Sequence, residues 1–122
     1  MVRNHKQGDV FFADLGPAVG SEQGGIRPVV IMQNDVGNRH SYTVTVVPLT
    51  SKQKPNRMPT HTLIEVDENN GLKFDSLALG EQITTISISK IGRKIGRLSC
   101  EDYKAIWGAV LNQISSPEAK FI

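Results

Sequence analysis

Outside one stretch near its end, this chain never sustains a helical period. Its apolar residues come in short runs rich in Val, Ile and Thr, each cut by Gly, Pro, Asn or Ser. Runs of that length and composition match strands rather than helices. The fold class is therefore mostly β, within α+β. Gly8–Asp14 holds Val10, Phe11 and Phe12, and Ile26–Gln33 holds Val29, Val30 and Ile31. Tyr42–Leu49 alternates Thr and Val, and Thr62–Val66 is a further short strand. Ser76–Ile88 is the longest β-branched stretch, and Gly80 within it predicts a bulge or sharp bend where one sheet turns into another. Ile91–Leu98 completes the set, weakened as a strand by Gly92 and Gly96.

The exception runs from Cys100 to about Ile114. Ser99 is a good N-cap, and Glu101 and Asp102 fall in the first turn, where the helix dipole favours them. Tyr103, Ile106, Trp107, Val110, Leu111 and Ile114 share one apolar face, which places Trp107 in the core. Pro117 marks the end. Five to seven short strands with Gly-bearing bends, closed by a terminal helix, predict a small barrel. With 122 residues the chain is expected to form one domain over 1–122, large enough to bury a core without staples.

The single cysteine, Cys100, rules out an intrachain disulfide framework and suits a reducing compartment. No apolar run nears the roughly 20 residues that span a bilayer, and Met1–Gly8 lacks a signal-peptide apolar segment. A cytoplasmic protein is expected. Net charge is only +2, unevenly spread. Residues 1–60 carry 7 basic and 4 acidic side chains, whereas 61–122 carry 7 and 8, so positive potential is expected in the first half.

Several chemistries drop out on motif grounds. His5, His40 and His61 lack ligand spacing, and no Cys-x-x-Cys, His-Glu-x-x-His or EF-hand loop occurs, which speaks against structural zinc. No metal or cofactor is expected. Gly24-Gly25 runs into a strand, so it offers no helix N-terminus to a phosphate. There is no Gly-x-Ser-x-Gly elbow and no P-loop.

What stands out is Gly16–Ile31, a loop of Gly and polar residues feeding an apolar strand with Arg27 at the junction. Pro28 extends the backbone there and removes one ladder N–H. Chemistry alone leaves two readings open: a solvated Arg on a flexible hairpin, or an Arg held beside a loop to grip an anion.

The wider sequence closely resembles the MazF/PemK family of endoribonuclease toxins. Gly8–Leu15 is similar to that family's first strand, and Gly20–Val29 (GSEQGGIRPV) to its signature loop and second strand. Gln33–Arg39 (QNDVGNR), Val47–Thr50, Pro59–His61 and Leu79–Ile86 (LGEQITTI) also match, so the resemblance runs from about Gly8 to the terminal helix. It implies an SH3-like barrel, a homodimer and metal-independent cleavage of single-stranded RNA at a short sequence. It further implies a cognate MazE-like antitoxin with a flexible acidic C-terminal segment. The family's catalytic Arg matches Arg27 and its catalytic Thr matches Thr50.

The expected nucleophile is the RNA's own 2′-hydroxyl, giving 2′,3′-cyclic phosphate and 5′-hydroxyl ends. Arg27 offers paired donors to a phosphorane, and Thr50 a fixed hydroxyl. The general base stays open between Glu22 and water. Glu22, Gln23, Asn34 and Gln82 are expected to read bases through amide and carboxylate edges, with Gln82 equally suited to satisfy buried backbone. Tyr42 is a candidate for stacking, while Phe12 is expected in the core and His61 in a structural role. Lys52, with Lys54 and Arg57, forms a basic loop suited to RNA or to solvent. Two other readings compete: a gyrase-inhibiting toxin of the same barrel, and a non-catalytic SH3-like module. The first uses a Trp-Gly-Ile terminus, whereas this sequence ends Lys120-Phe121-Ile122 and carries Arg27 with Thr50, which favours the nuclease.

Overall fold

The computed structural model describes residues 4–51 and 58–115. Seven strands and two helices follow the order β1 (Asp9–Asp14), β2 (Ile26–Ile31), α1 (Asp35–His40), β3 (Thr43–Thr50), β4 (His61–Ile64), β5 (Ser76–Leu79), β6 (Thr84–Ser87), β7 (Ile91–Arg97) and α2 (Cys100–Ile114). All strand pairs are antiparallel, in the path β4-β5-β3-β2-β1-β7, with β6 also on β3.

The central strands carry apolar residues on both faces, so both faces must be covered. Val10, Val30, Val47 and Leu49 join Ile106 and Val110 of α2 in one core. Phe11, Val29, Ile31, Val44 and Val46 join Ile86 and Ile91 in a second core on the other side. Strand alternation assigns neighbouring residues to opposite cores.

The bend expected at Gly80 is a 3₁₀ turn, Gly80–Gln82, that splits the expected Ser76–Ile88 strand into β5 and β6. A second 3₁₀ turn, Ile88–Lys90, precedes β7. β6 pairs with the first half of β3 (Thr43↔Ser87 to Val46↔Thr84) and β5 with its end (Leu49↔Ala78, Thr50↔Leu77). The turn moves the chain from one half of β3 to the other. Only Gly fits at position 80, because a Cβ there would lie 2.8 Å from the Thr60 carbonyl oxygen.

Three sequence expectations need correcting. Trp107 is 54% exposed. The helix's apolar stripe is wider than the contact it makes: Ile106 and Val110 are buried, while Trp107, Leu111 and Ile114 turn toward solvent. Phe12 is only partly buried, because it lines an open groove. The helix α1 was not expected. It has six residues and includes Gly37, too short for a legible period, and it is held by its Asn34 cap, whose Oδ1 accepts from Gly37 N–H at 2.9 Å. Among the described residues no helix is long and apolar enough to cross a membrane.

Candidate functional site

The register between β2 and β3 brings the two leading residues together. Val29 pairs with Pro48, Val30 with Val47 and Ile31 with Val46. Continued by two residues, the same register sets Arg27 opposite Thr50. The ladder itself stops at Val29↔Pro48, where Pro28 and Pro48 both lack an N–H. Beyond that point no ladder pair follows, and Arg27 and Thr50 line one open groove of about 540 Å³. Thr50 ends β3 and is 4% exposed, so the strand fixes its position.

Arg27 is steadied from the loop that precedes it. Its Nε donates to the Gly24 carbonyl at 2.9 Å. That carbonyl sits in a tightly closed loop, in which Gly25 N–H donates to Gly16 O at 2.6 Å and Leu15 N–H to Gly25 O at 3.0 Å. A Cβ at Gly24 would fall 2.8 Å from Gly16 O, so the close approach requires glycine. Among the described residues Arg27 forms no ion pair, and its terminal nitrogens meet no acceptor.

The rest of the groove is basic and partly apolar. Lys73, Arg93 and Lys94 line it with Arg27, and among the described residues no acidic side chain does. Phe12, Leu49, Leu72 and Phe74 supply apolar surface. The Arg93 guanidinium lies 5.4 Å from the centre of the Phe12 ring, a cation–π distance. Lys94 also reaches the fully buried Asp9 at 3.4 Å, and Arg97 holds the same carboxylate at 2.8 Å. Sequence reasoning missed Lys73, Phe74, Arg93 and Lys94. All lie in the half whose net charge is −1 (7 basic, 8 acidic), and only the fold gathers them. The adjacent pair Arg93-Lys94 was the one local signal.

The other candidates fall in different places. Glu22, Gln23 and Gln82 line a neighbouring cleft of about 440 Å³ beside Thr84 and Thr85. The Gln82 side chain is engaged with the loop. Its Oε1 accepts from Gln23 N–H at 2.8 Å and its Nε2 donates to Ser21 O at 3.1 Å. Asn34 is exposed, caps α1, and lines a third depression beside Tyr103 and Trp107. Tyr42 is 66% exposed. Lys52, Lys54 and Arg57 lie outside the described residues.

His61 belongs to a buried network. Its Nδ1 accepts from Met58 N–H at 3.1 Å, so Nε2 carries the proton and donates to Glu81 Oε2 at 3.0 Å. Thr60 Oγ1 donates to the other Glu81 oxygen at 2.9 Å. Burial opposes the Glu81 charge, but the bonds from His61, its own N–H and Thr60 outweigh it, holding the carboxyl below its ordinary 4.5.

Comparisons with known proteins agree with one another. Residues 6–114 match the family model described as PemK-like, MazF-like toxin of type II toxin-antitoxin system. The chain is 48% identical over 97 residues to endoribonuclease EndoA of Bacillus subtilis, covering 79% of this chain and 82% of that protein. It is 45% identical over 105 residues to endoribonuclease MazF of Staphylococcus saprophyticus, covering 86% and 87%. In fold it resembles crystalline MazF from Deinococcus radiodurans, with TM-score 0.75, 17% identity and coverage of 88% and 94%. It also resembles a mycobacterial endoribonuclease solved with its cognate antitoxin, with TM-score 0.74, 23% identity and coverage of 93% and 99%.

Proposed function

Since this chain belongs to the PemK-like, MazF-like toxins of type II toxin–antitoxin systems and is an endoribonuclease, we propose that it cuts single-stranded RNA in the Arg27–Thr50 groove. The observation that carries this reading is a guanidinium fixed through Nε in a groove to which the described residues bring four basic side chains, no acidic one and no acceptor for the terminal nitrogens of Arg27. Fixed donors aimed at developing phosphate charge need no reorganisation when the reaction occurs. The scissile phosphate lies between Arg27 and the Thr50 hydroxyl. The RNA's 2′-hydroxyl attacks that phosphorus, and the Arg27 terminal N–H groups bind the phosphorane oxygens. The P–O5′ bond breaks and the 5′-oxygen takes a proton from water, giving 2′,3′-cyclic phosphate and 5′-hydroxyl ends.

Arginine keeps its proton, so it serves as charge stabiliser rather than base. Glu22 lines the neighbouring cleft instead of this groove, which favours water as the acceptor of the 2′-hydroxyl proton. Glu22 and Gln23 are placed to read bases that leave the groove on that side. Asn34 has a capping task. The cleaved sequence is set by those loop contacts together with 51–57, Lys52 included.

We place the enzyme in the cytoplasm, as a homodimer neutralised by a cognate MazE-like antitoxin. The exposed Trp107, Leu111 and Ile114 of α2 supply apolar surface for a second copy to cover. A groove that attracts an RNA backbone also attracts an acidic peptide, so antitoxin and RNA compete, more weakly as salt rises.

The test is cleavage of a long RNA in EDTA, with end analysis of the fragments. Discrete cuts bearing cyclic phosphate are expected, and a 2′-deoxyribose at the scissile position blocks them. Cutting at the deoxyribose, or loss of cutting in EDTA, overturns the mechanism. Intact RNA throughout would favour a non-catalytic module.

A further inference from the structure

We infer that Gln82 is a positioning residue for Arg27, acting through the backbone of Gln23 and Gly24. The inference rests on the reading of Arg27 given above and adds how that side chain is aimed. The chain of bonds is short. Gln82 Oε1 takes the Gln23 N–H at 2.8 Å, and the carbonyl of the next residue, Gly24, takes Arg27 Nε at 2.9 Å. Gln82 Nε2 closes on Ser21 O at 3.1 Å, so one side chain spans both ends of the Ser21–Gln23 segment.

Gln82 stands on firm ground. It ends the 3₁₀ turn Gly80–Gln82, whose Gly80 N–H is bonded to Thr60 O at 3.0 Å and whose Glu81 is tied to Thr60 and His61. The turn follows β5 directly, and β5 carries Leu77 in register with Thr50. Gln82 thus links the loop that aims Arg27 to the sheet that fixes Thr50. Backbone bonds close the loop on itself, Gly25 N–H to Gly16 O and Glu22 N–H to Val19 O, and the Gln82 amide ties its Ser21–Gln23 segment to the 3₁₀ turn. With both amide atoms on the backbone, Gln82 is committed to the loop rather than to a base.

Gln82→Met keeps the side-chain volume and removes both bonds. Gln82→Glu keeps the acceptor for Gln23 N–H but sets an oxygen against Ser21 O. The expected order of kcat is wild type, then Gln82→Glu, then Gln82→Met. A misplacement of about 1 Å costs up to about 10² in rate, so Gln82→Met is expected to lose roughly 10- to 100-fold in kcat. KM should change less than about 3-fold.

The second measurement is exchange of the Arg27 Nε–H by ¹⁵N NMR, which a merely structural role would leave unchanged in the folded protein. It should be slow in the wild type and fast in Gln82→Met. Wild-type kcat in both variants, or unchanged Arg27 exchange, overturns the proposal. So does a raised KM with a changed cleavage sequence and normal kcat, which makes Gln82 a base reader. Arg27→Ala separates the two readings. If it stays fully active, the active-site assignment itself fails. If it is inactive while Gln82→Met turns over normally, only the role of Gln82 fails.

Discussion

Both oxygens of Glu81 and both ring nitrogens of His61 meet partners inside the fold, whereas among the described residues Arg27 commits only its Nε. The two sites otherwise have much in common: each joins a strand to a loop, and each centres on a charge near buried residues. The Glu81 site is closed. Its hydrogen bonds hold the start of β4 against the turn after β5, and it has no donor left for a ligand. The Arg27 site is open, on a groove to which the described residues bring no acidic side chain. A polar network whose members satisfy each other serves architecture. A fixed cation without a partner keeps its field for something that binds.

The contrast predicts a clean division of mutational effects. Arg27→Ala should cut the cleavage rate by about 10²–10³, the usual cost of a lost transition-state donor. Its melting temperature should stay near that of the wild type, since only one loop bond is lost. Single-turnover assays and thermal melts on the same preparation check this. A collapse of stability alongside activity would erase the distinction between the sites.

The opposite outcome is expected at the closed site. His61→Ala removes a buried ring and leaves Glu81 and the Met58 N–H each short of a partner. The cavity and the unmet polar groups together should cost about 2–4 kcal/mol of stability. In the fraction that remains folded, kcat should fall less than in Gln82→Met, because Gln82 keeps its own bonds to Ser21 and Gln23. Urea melts give the first number, and cleavage at low temperature gives the second.

The closed site also has a pH signature. The Glu81 carboxyl is held below its ordinary 4.5 by its donors, which outweigh burial. A group with a lowered folded-state pKa stabilises the fold above its unfolded value and loses that contribution as pH falls through the folded one. The stability gap between wild type and Glu81→Gln should therefore be full at neutral pH and shrink below about pH 4.5. Denaturant midpoints from pH 7 to pH 3 measure it, and a gap that widens on acidification would reverse the assignment.

These regions differed in how far the sequence revealed them. Strand identity came from composition: Val10-Phe11, Val29-Val30-Ile31 and the Thr-Val alternation of β3 allow little else. Gly80 marked its own bend. Arg27 and Thr50 were singled out through the family resemblance, while their place on one groove depends on the β2–β3 register, a long-range fact that no local pattern encodes. Helical spacing assigned Trp107 to the core because periodicity shows which residues share a face, not how much of that face a neighbour covers. Lys73 and Arg93 were hidden for a similar reason, since charges counted along a chain do not show where the strands bring them.

Arg93 gives the smallest and sharpest test, because it lies between the two kinds of site. It belongs to the open groove, yet the Phe12 ring at 5.4 Å partly accommodates its charge. An exposed cation–π contact contributes about 0.5–1 kcal/mol, so Arg93→Gln should lower fold stability by no more than that. If Arg93 faces a phosphate as a groove cation should, its loss releases one fewer counterion on binding. For single strands each neutralised phosphate contributes about −0.7 to the slope of log K against log salt. Binding of a non-cleavable RNA by Arg93→Gln should then show a slope shallower by roughly 0.7, with affinity reduced several-fold at low salt. The change should fade as ionic strength rises, because the lost term is Coulombic. An unchanged slope would assign Arg93 to packing over Phe12, and the open site would shrink to Arg27, Thr50 and the lysines.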